Sequence, residues 1–499
     1  MAHAYSDGGG IRGYSSLIIL RELMRHVRDV ETRNIPEEGK KTHSSYDPDE
    51  YIPCIRNCHD EDDSTDTAES NRECGECCRY IPAHYFDYIG GTSTGGLIAI
   101  MLGRLRMSVQ DCMEEYERLS GDIFGHPRLA SIRGPIPYWR DKYDGEKIQR
   151  AVEDVIKRRM SPEERTAGAG SFNCPRGLCR TVVFAYASKI SNDVSEYSSN
   201  GEGQQAVDSE DAAPYIFRSY DHWASNPPAI YERNPGYAHN VAIWEAARAT
   251  TAAPLYFDPI KIGNRKFGDG GFGSNNPAEE MATEVASMHG HDFSCMSVLL
   301  SIGTGDMPPI IRIAREDGWL KKYGTYLNAA KKLASDARAV HQRLDSLKKC
   351  INPGLPYYRF NVPSRSGLDK IKLDEWKGPK WYWRPSRKRT LDKIREATEA
   401  YCGRDEVRAQ LMEVAEKMVK HRSTRKTHDL WPLVSRGEQY RCTFEKCKMC
   451  QRVMPRRNDL KCHLIARHSV KEDEMEDWLE KGLYPPKPRP NRTGVTNGV

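Results

Sequence analysis

A serine between two glycines is the first candidate for chemistry in this sequence. Gly91, Ser93 and Gly95 form the pattern Gly-x-Ser-x-Gly. An apolar run at 85–89 predicts a strand before it, and 95–105 predicts a helix after it. The flanking glycines permit a sharp turn that exposes the hydroxyl, and the dipole of the following helix favours negative charge there. The pattern predicts a nucleophilic serine, with a glycine-rich turn and a capping serine as the alternative.

Three consecutive glycines near the start of the chain could bind an anion. Gly8, Gly9 and Gly10 precede a predicted helix, and consecutive glycines let backbone N–H groups converge without side-chain hindrance. In acyl transfer the anion is the tetrahedral oxyanion, for which Gly9 and Gly10 are the leading donors. Gly8, Gly10 and Gly13 also fit a dinucleotide fingerprint, but that motif needs a preceding apolar strand, for which only 3–6 is present.

An aspartate in a glycine-rich turn is the candidate base. Asp269 precedes Gly270 and Gly271 and follows a predicted strand. A serine hydroxyl needs a base to take its proton, and a carboxylate serves if its site is dry enough to raise its pKa. Asp-Gly-Gly is also a common turn sequence. A Ser–His–Asp triad would instead need a later histidine, and His289 and His291 follow in a predicted surface turn.

The order of three motifs resembles that of patatin-like phospholipases. The motifs are Asp-Gly-Gly-Gly-x-Arg-Gly at 7–13, Gly-x-Ser-x-Gly at 91–95 and Asp-Gly-Gly at 269–271. The charged helical continuation resembles fungal members of that family. The resemblance covers roughly residues 5–310, with weaker likeness to about 420. Further matching stretches are 85–90, 246–254 and 301–305.

This resemblance implies a catalytic Ser–Asp dyad. Ser93 would attack an ester carbonyl, Asp269 would activate it, and backbone amides of Gly8, Gly9 and Gly10 would hold the oxyanion. Water would then release the acyl-enzyme, so the expected function is hydrolysis of fatty-acyl esters in phospholipids or acylglycerols, with no cofactor required for catalysis. The motif positions expected to support the site are Arg12, Gly13, Gly91, Gly95, Gly270 and Gly271. For Arg12, contact with a lipid headgroup is the alternative to support of the loop.

The order of predicted elements indicates an α/β fold. Short β-branched runs at 181–187 and 297–302 predict buried strands separated by helices, hence a largely parallel sheet. The resemblance implies a three-layer sandwich of patatin type. The predicted organisation is a patatin-like domain at 1–310 with insertions at about 36–80 and 191–212, a charged helical extension at 311–435, a zinc finger at 440–470 and a disordered tail at 471–499.

Cysteines and histidines near the C-terminus have the spacing of a C2H2 zinc finger. Cys447 and Cys450 are followed by His463 and His468 in the pattern Cys-x2-Cys-x12-His-x4-His. Cys442 is an alternative first ligand, although its x4 spacing from Cys447 is poorer. We expect a structural zinc ion here.

A finger could also bind nucleic acid. Arg456, Asp459 and Cys462 would face the bases, but one finger covers only about three base pairs. A protein partner is at least as well supported. The alternative function for the whole chain is therefore an inactive patatin-like scaffold whose finger binds nucleic acid or protein.

Charge and composition bound the partners and location. The net charge is +5, from 75 basic and 70 acidic residues, which by itself indicates neither nucleic acid nor membrane. The longest apolar run, 97–102, is far short of the roughly 20 residues of a membrane-spanning helix. Without a leader pattern, and with 15 cysteines, the expectation is a reducing compartment: an intracellular protein, cytoplasmic or membrane-peripheral, with the nucleus as another possibility. Lipid at a membrane or micelle surface is the expected substrate.

Two weaker patterns remain as hypotheses. A second metal site would use cysteines of the acidic insertion, and a basic-aromatic patch would meet anionic lipid. Their residues are Cys54, Cys58, Cys74, Cys77 and Cys78 for the metal site, and Trp376, Trp381, Tyr382 and Trp383 for the patch.

Overall fold

A computed structural model of the chain describes the residues from which the fold follows. They are 1–40, 43–46, 80–125, 142–160, 170–174, 177–188, 212–223, 233–253, 256–272, 275–306, 337–349, 354–376, 389–444, 447 and 453–484. Most of both predicted insertions lies outside these residues.

Eight strands form the large sheet. They are Ala2–Ser6 (β1), Tyr88–Thr92 (β2), Arg180–Ser188 (β3), Ala212–Arg218 (β4), Ile260–Ile262 (β5), Arg265–Asp269 (β6), Val298–Ile302 (β7) and Tyr357–Phe360 (β8). The order is β5-β6-β3-β2-β1-β7-β8, with β4 also paired to β3. The pairs among β3, β2, β1, β7 and β8 are parallel, and those involving β4, β5 and β6 are antiparallel. A second, two-stranded antiparallel sheet joins Gln439–Tyr440 (β9) to Leu483–Tyr484 (β10).

Helices connect and cover these strands. They are Gly13–Thr32 (α1), Glu37–Lys40 (α2), Pro82–Tyr85 (α3), Thr94–Ala99 (α4), Val109–Phe124 (α5), Gly145–Arg159 (α6), Ile243–Thr251 (α7), Ala278–Met288 (α8), 337–349 (α9), Thr390–Cys402 (α10), Asp405–Lys426 (α11), Trp431–Arg436 (α12), Arg457–His468 (α13) and Glu472–Lys481 (α14). The predicted helix 95–105 is α4 continued by a π-helical turn at Ile100–Arg104. Among the helices described, none is both long and apolar enough to cross a membrane.

The large sheet has a core on each face, because successive side chains of a strand point to opposite sides. On β7, Leu300 belongs to the same core cluster as Leu17 of α1. The neighbouring Leu299 belongs to a second cluster with Met281 and Val285 of α8. The prediction of a largely parallel α/β sheet covered by helices is therefore confirmed.

The first strand occupies the middle of the sheet. All five residues of Ala2–Ser6 are buried, and the strand pairs in parallel with both β2 and β7. Its polar residue His3 is buried as well, and burial lowers the pKa of that imidazole to about 3, so it is neutral near pH 7. A short, partly polar strand thus suffices to position the glycine loop that follows it.

The chain divides into two compact units, one comprising residues 1–174 and 179–423, the other 175–178 and 424–499. The segment 311–435 was predicted to be a separate helical extension, but its described residues up to 423 belong to the first unit. Within it, β8 joins the large sheet and α10 packs against α1. The predicted disordered tail also differs, since 472–484 form α14 and β10. The finer domain boundaries stay a prediction.

Candidate active site

Ser93 lies at a sharp turn between β2 and α4. Its backbone has φ 54° and ψ −127°, a conformation that a non-glycine residue adopts at a cost of about 1–3 kcal/mol. The flanking glycines are required by space: a Cβ at Gly91 would overlap the carbonyl oxygen of Gly95, and a Cβ at Gly95 would overlap that of Ser6. The turn therefore presents the Ser93 hydroxyl at the carboxyl end of β2.

The Ser93 hydroxyl meets a buried carboxylate. Ser93 Oγ donates a hydrogen bond of 2.7 Å to Asp269 Oδ2. The other carboxylate oxygen accepts the Gly271 N–H at 2.7 Å. Burial raises the pKa of Asp269 to about 6, although the hydrogen bonds from Ser93 and Gly271 both oppose this shift. A carboxylate with such a pKa is ionised at neutral pH and remains basic enough to accept a proton from serine.

Asp269 is held at the end of β6 by close backbone packing. It lies opposite Ala185 of β3, and its N–H donates to the carbonyl of Ala252 at 3.0 Å. The next residue, Gly270, cannot carry a side chain, because a Cβ there would overlap the carbonyl oxygen of Phe184. The antiparallel strand thus brings the base to the serine from 176 residues away in the chain.

The two histidines that a Ser–His–Asp triad could use, His289 and His291, lie away from Ser93. His289 Nε2 is 3.4 Å from the hydroxyl of Tyr88, the first residue of β2, whereas Ser93 follows the last residue of that strand. Five residues of strand separate positions by about 16 Å at roughly 3.3 Å per residue. His291 lies in the same turn after α8 as His289. Because Ser93 Oγ is hydrogen-bonded directly to the Asp269 carboxylate, the geometry favours a dyad over a triad.

The glycine loop lies against Ser93. A Cβ at Gly8 would be 3.0 Å from Ser93 Cβ. The Gly8 N–H donates to Asn275 O at 3.3 Å, and the Gly9 N–H donates to Thr94 Oγ1 at 3.3 Å. The Gly10 N–H has no acceptor among the described residues. Of the three predicted oxyanion donors, Gly10 is therefore the most available, and the long bond of Gly9 can be exchanged for a substrate oxygen.

Side chains from distant elements hold the carbonyls of this loop. Thr304 Oγ1 donates to Gly8 O at 2.9 Å, and the Tyr116 hydroxyl donates to Gly10 O at 2.6 Å. With its carbonyls fixed, the loop keeps its N–H groups in place before any substrate binds, which is the preorganisation that an oxyanion site needs. Neither role was predicted from sequence: Thr304 falls in the 301–305 stretch that resembles the family, but no role was assigned to it, and Tyr116 lies in no motif.

A threonine on α7 holds the backbone of the Ser93 turn through hydrogen bonds. Thr250 Oγ1 accepts the Ser93 N–H at 2.8 Å and donates to Phe184 O at 2.6 Å. The side chain is fully buried, so its hydroxyl satisfies two backbone groups that water does not reach. Thr250 falls in the 246–254 stretch on which the family resemblance was partly based, but its role was not predicted.

Arg12 is internal. It is 1% exposed, and its Nη1 donates to the carbonyl of Asp306 at 3.3 Å. Burial lowers its pKa to about 10, opposed by Asp369 and Asp306, so it stays charged. The neighbouring Gly13 has no room for a side chain, since a Cβ would overlap the hydroxyl of Tyr116. These surroundings favour support of the loop over contact with a lipid headgroup.

The second unit brings a cysteine–histidine cluster together. Cys442, Cys447, His463 and His468 form it, and their ligand atoms lie within 4.8 Å of one another. Three of these were predicted as ligands, and Cys442 was the alternative. Cys450 lies outside the described residues, so its role stays a prediction.

The remaining predicted sites are mostly outside the described residues. This applies to the cysteines of the second metal site and to the aromatic patch at 381–383. Trp376 is described, and its indole packs near Gly121 of α5 as part of the core of the first unit.

The chain is an α/β protein in which Ser93, at a strand-to-helix turn, is hydrogen-bonded to the buried Asp269. Comparison with known proteins points to one family with this fold class. Residues 79–282 match the family model described as patatin-like phospholipase. The calcium-independent phospholipase A2-gamma of Homo sapiens is 26% identical over 358 residues, covering 70% of this chain and 38% of the relative. Phospholipase A I of Arabidopsis thaliana is 27% identical over 327 residues, covering 59% of this chain and 23% of the relative.

Patatin-like protein 4 of Arabidopsis thaliana is 23% identical over 283 residues, covering 54% of this chain and 48% of the relative. The chain thus spans less than half the length of these relatives. The resemblance to patatin-like phospholipases that the three motifs predicted is therefore confirmed.

Proposed function

We propose that this chain is a serine lipid acyl hydrolase, a carboxylic ester hydrolase of the phospholipase A type that works through the dyad of Ser93 and Asp269. The observation that carries the proposal is the direct 2.7 Å hydrogen bond between their side chains. Because Asp269 is buried and its pKa is raised to about 6, it is a stronger base than an exposed aspartate while still ionised at neutral pH.

In the acylation step, Ser93 Oγ attacks the carbonyl carbon of a fatty-acyl ester and its proton passes to Asp269. The carbonyl oxygen becomes an oxyanion, which the N–H groups of Gly10 and Gly9 stabilise, with Gly8 shaping the loop. Collapse of the tetrahedral intermediate breaks the bond to the alcohol, and protonated Asp269 returns the proton to the leaving oxygen. The products of this step are a lysolipid or partial glyceride and an acyl-serine.

Deacylation repeats the chemistry with water. Asp269 accepts a proton from a water molecule that attacks the acyl-serine, and the same loop N–H groups stabilise the second oxyanion. Ser93 leaves with the proton from Asp269, and a fatty acid is released. The proposed steps need no calcium, in keeping with relatives named calcium-independent phospholipases.

The proposed substrates are phospholipids or acylglycerols at a membrane or micelle surface, and the proposed place of action is inside the cell, as a cytoplasmic or membrane-peripheral protein. The names of the relatives support phospholipids in the first instance. No comparison favours the alternative of an inactive scaffold with a nucleic-acid or protein partner.

The test is release of fatty acid from micelles that contain either a phospholipid or a triacylglycerol. The native chain should release fatty acid and lysophospholipid from the first, and Ser93→Ala should abolish the release. The exposed Ser294 supplies a matched control, and Ser294→Ala should retain native activity. A folded native chain without activity on either lipid, or an active Ser93→Ala variant, would refute the proposal.

A further inference from the structure

Four potential metal ligands converge in the second unit, with their ligand atoms within 4.8 Å of one another. Cys442 Sγ is 3.3 Å from His468 Nε2, and Cys447 Sγ is 3.4 Å from His463 Nε2. Zinc bonds of about 2.3 Å to sulfur and about 2.0–2.1 Å to nitrogen place these ligand atoms about 3.6 Å apart in a tetrahedron. The observed spacing therefore leaves room for one zinc ion between two thiolates and two imidazoles.

The chemistry of the four ligands selects among metals. Thiolate and imidazole donors suit zinc, whereas magnesium and calcium prefer carboxylate, carbonyl and water oxygens. Within the described part of the chain, no carboxylate belongs to the cluster. Cys462 lies on the same helix as His463 but is exposed, and it does not belong to the cluster either.

A helix beyond the last histidine completes the small core beside these ligands. Met475 and Leu479 of α14 are buried in one cluster with Leu460 and Leu464 of α13. Burial of such side chains is favourable roughly in proportion to the apolar area removed from water, and each helix contributes two of them. The gain from α14 is therefore comparable to that from the apolar residues of α13 itself.

The chain then returns to the strand next to Cys442. Leu483 of β10 pairs with Tyr440 of β9, and Arg441 N donates to Gly482 O at 2.8 Å. On its other side Tyr440 exchanges hydrogen bonds of 2.8 and 2.7 Å with Met454. The cysteine-bearing segment is thus held between Met454 and β10, so α14 and β10 are integral parts of the fold around the ligands.

An aromatic stack links one ligand to α14. The ring of Phe444 lies parallel to the imidazole of His468, with centroids 4.0 Å apart, and parallel to the indole of Trp478, also at 4.0 Å. Such a stack fixes the plane of the His468 ring, which metal coordination requires.

Acidic side chains of α14 neutralise basic ones of α13. Arg457 pairs with Glu476, and Lys461 pairs with Glu472 at 2.7 Å. Basic residues that are paired in this way contribute less to binding of nucleic-acid phosphates. This arrangement favours a structural role for the metal.

We propose that Cys442, Cys447, His463 and His468 bind one structural zinc ion, and that the zinc-dependent folding unit comprises 439–444, 447 and 453–484. It includes α14 and β10, which lie beyond the boundary of an ordinary finger. Cys450, the ligand expected from sequence spacing, is not required.

Metal analysis of the full chain tests the ligand set. The native chain, purified and dialysed against metal-free buffer after loading with ZnCl2, should hold one zinc per chain by mass spectrometry. Cys442→Ser should lower this at least tenfold, whereas Cys450→Ser and the exposed control Cys462→Ser should retain it. Zinc lost from Cys450→Ser but kept by Cys442→Ser would overturn the assignment, as would a native chain that binds no zinc. Cobalt(II) loading gives a second readout, because Cys450→Ser should keep the native thiolate-to-cobalt absorption band.

Hydrogen exchange of the full chain, with zinc and after its removal by a chelator, tests the extent of the unit. Amide protection in 472–484 should fall together with protection in 457–468, because metal binding and folding are coupled in so small a core. Protection in α1 should not change and serves as an internal control. If 472–484 stays protected after the metal has left, the extended unit is wrong.

Discussion

Asp269 has surroundings that tune a carboxylate for base catalysis. It is 5% exposed, and its two oxygens accept hydrogen bonds from Ser93 and Gly271. Desolvation outweighs both hydrogen bonds, so the pKa rises to about 6 instead of falling. The residue is therefore ionised at neutral pH and titrates within an accessible range.

The pH dependence of activity follows from that pKa. Only ionised Asp269 can take the serine proton, so kcat/KM should rise with pH through about 6 and level off above pH 7. At pH 5 the rate should be about tenfold below the plateau, as expected for one group with this pKa. The measurement is kcat/KM on a neutral ester substrate between pH 4.5 and 8.5. A midpoint near 4, or activity that falls as pH rises from 5 to 7, would contradict the assignment.

Thr250 should act as a positioning residue for the elbow. In Thr250→Val the N–H of Ser93 and the carbonyl of Phe184 both lose a partner. Unpaired buried groups cost about 1–3 kcal/mol each, so stability should fall by that order. We expect kcat to fall about 10–100-fold with KM little changed, since a misplaced nucleophile slows chemistry more than binding. Steady-state kinetics and thermal unfolding measure both effects.

The matched control is Thr250→Ser, which keeps the hydroxyl. It should restore most of the activity and much of the stability. Equal losses of activity in the valine and serine variants would show that the methyl group, and not the hydroxyl, is what matters at this position.

At the scale of elements, the glycine loop and Ser93 follow the carboxyl ends of β1 and β2, and the antiparallel β6 brings Asp269 to them. The serine turn and the aspartate turn were predictable from sequence, because glycines mark both. Tyr116 and Thr304, which hold the loop, were not, because their partners lie 106 and 296 residues away. Local sequence patterns predict turns, whereas the hydrogen bonds of Tyr116 and Thr304 to the loop depend on how elements distant in sequence pack together.

Gly10 illustrates a position at which only glycine fits. Its φ is +54°, and a Cβ would overlap the carbonyl oxygen of Leu373. Gly10→Ala should therefore shift the loop and lower kcat by about 10²–10³-fold, the range for loss of one oxyanion donor. Gly263→Ala is a matched control, since Gly263 has φ +60° but open space around it. Ester hydrolysis by both variants is the measurement, and equal activities would contradict the proposed role of the loop.

At the scale of the whole molecule, a buried ion pair ties the start of the chain to β8. Arg359 donates to both oxygens of Asp7, at 2.9 and 2.5 Å, and to Ser301 Oγ at 2.6 Å. The pair joins residues 352 positions apart, at the point where the glycine loop begins. This partner was not predicted from sequence, because the first domain was expected to end at about 310 and no local pattern marks β8 as part of the large sheet.

Removal of one partner should destabilise the first unit. Arg359→Met leaves Asp7 as an uncompensated buried charge, which costs about 3–5 kcal/mol. The double variant Asp7→Asn with Arg359→Met removes both charges and should recover part of that loss. Urea unfolding of the native chain, of Arg359→Met, of Asp7→Asn and of the double variant measures this coupling. A double variant that loses the sum of both single effects would show that the charges do not interact.

The proposed catalytic pairing of Ser93 with Asp269 is best tested by covalent trapping with a fluorophosphonate, followed by peptide mass spectrometry. The native chain at pH 8 should be labelled on Ser93, and Asp269→Asn should be labelled about 10²–10⁴-fold more slowly, the usual contribution of a general base. Asp292→Asn changes an exposed aspartate and should be labelled at the native rate. Labelling at another residue, or equal rates for native and Asp269→Asn, would contradict the dyad.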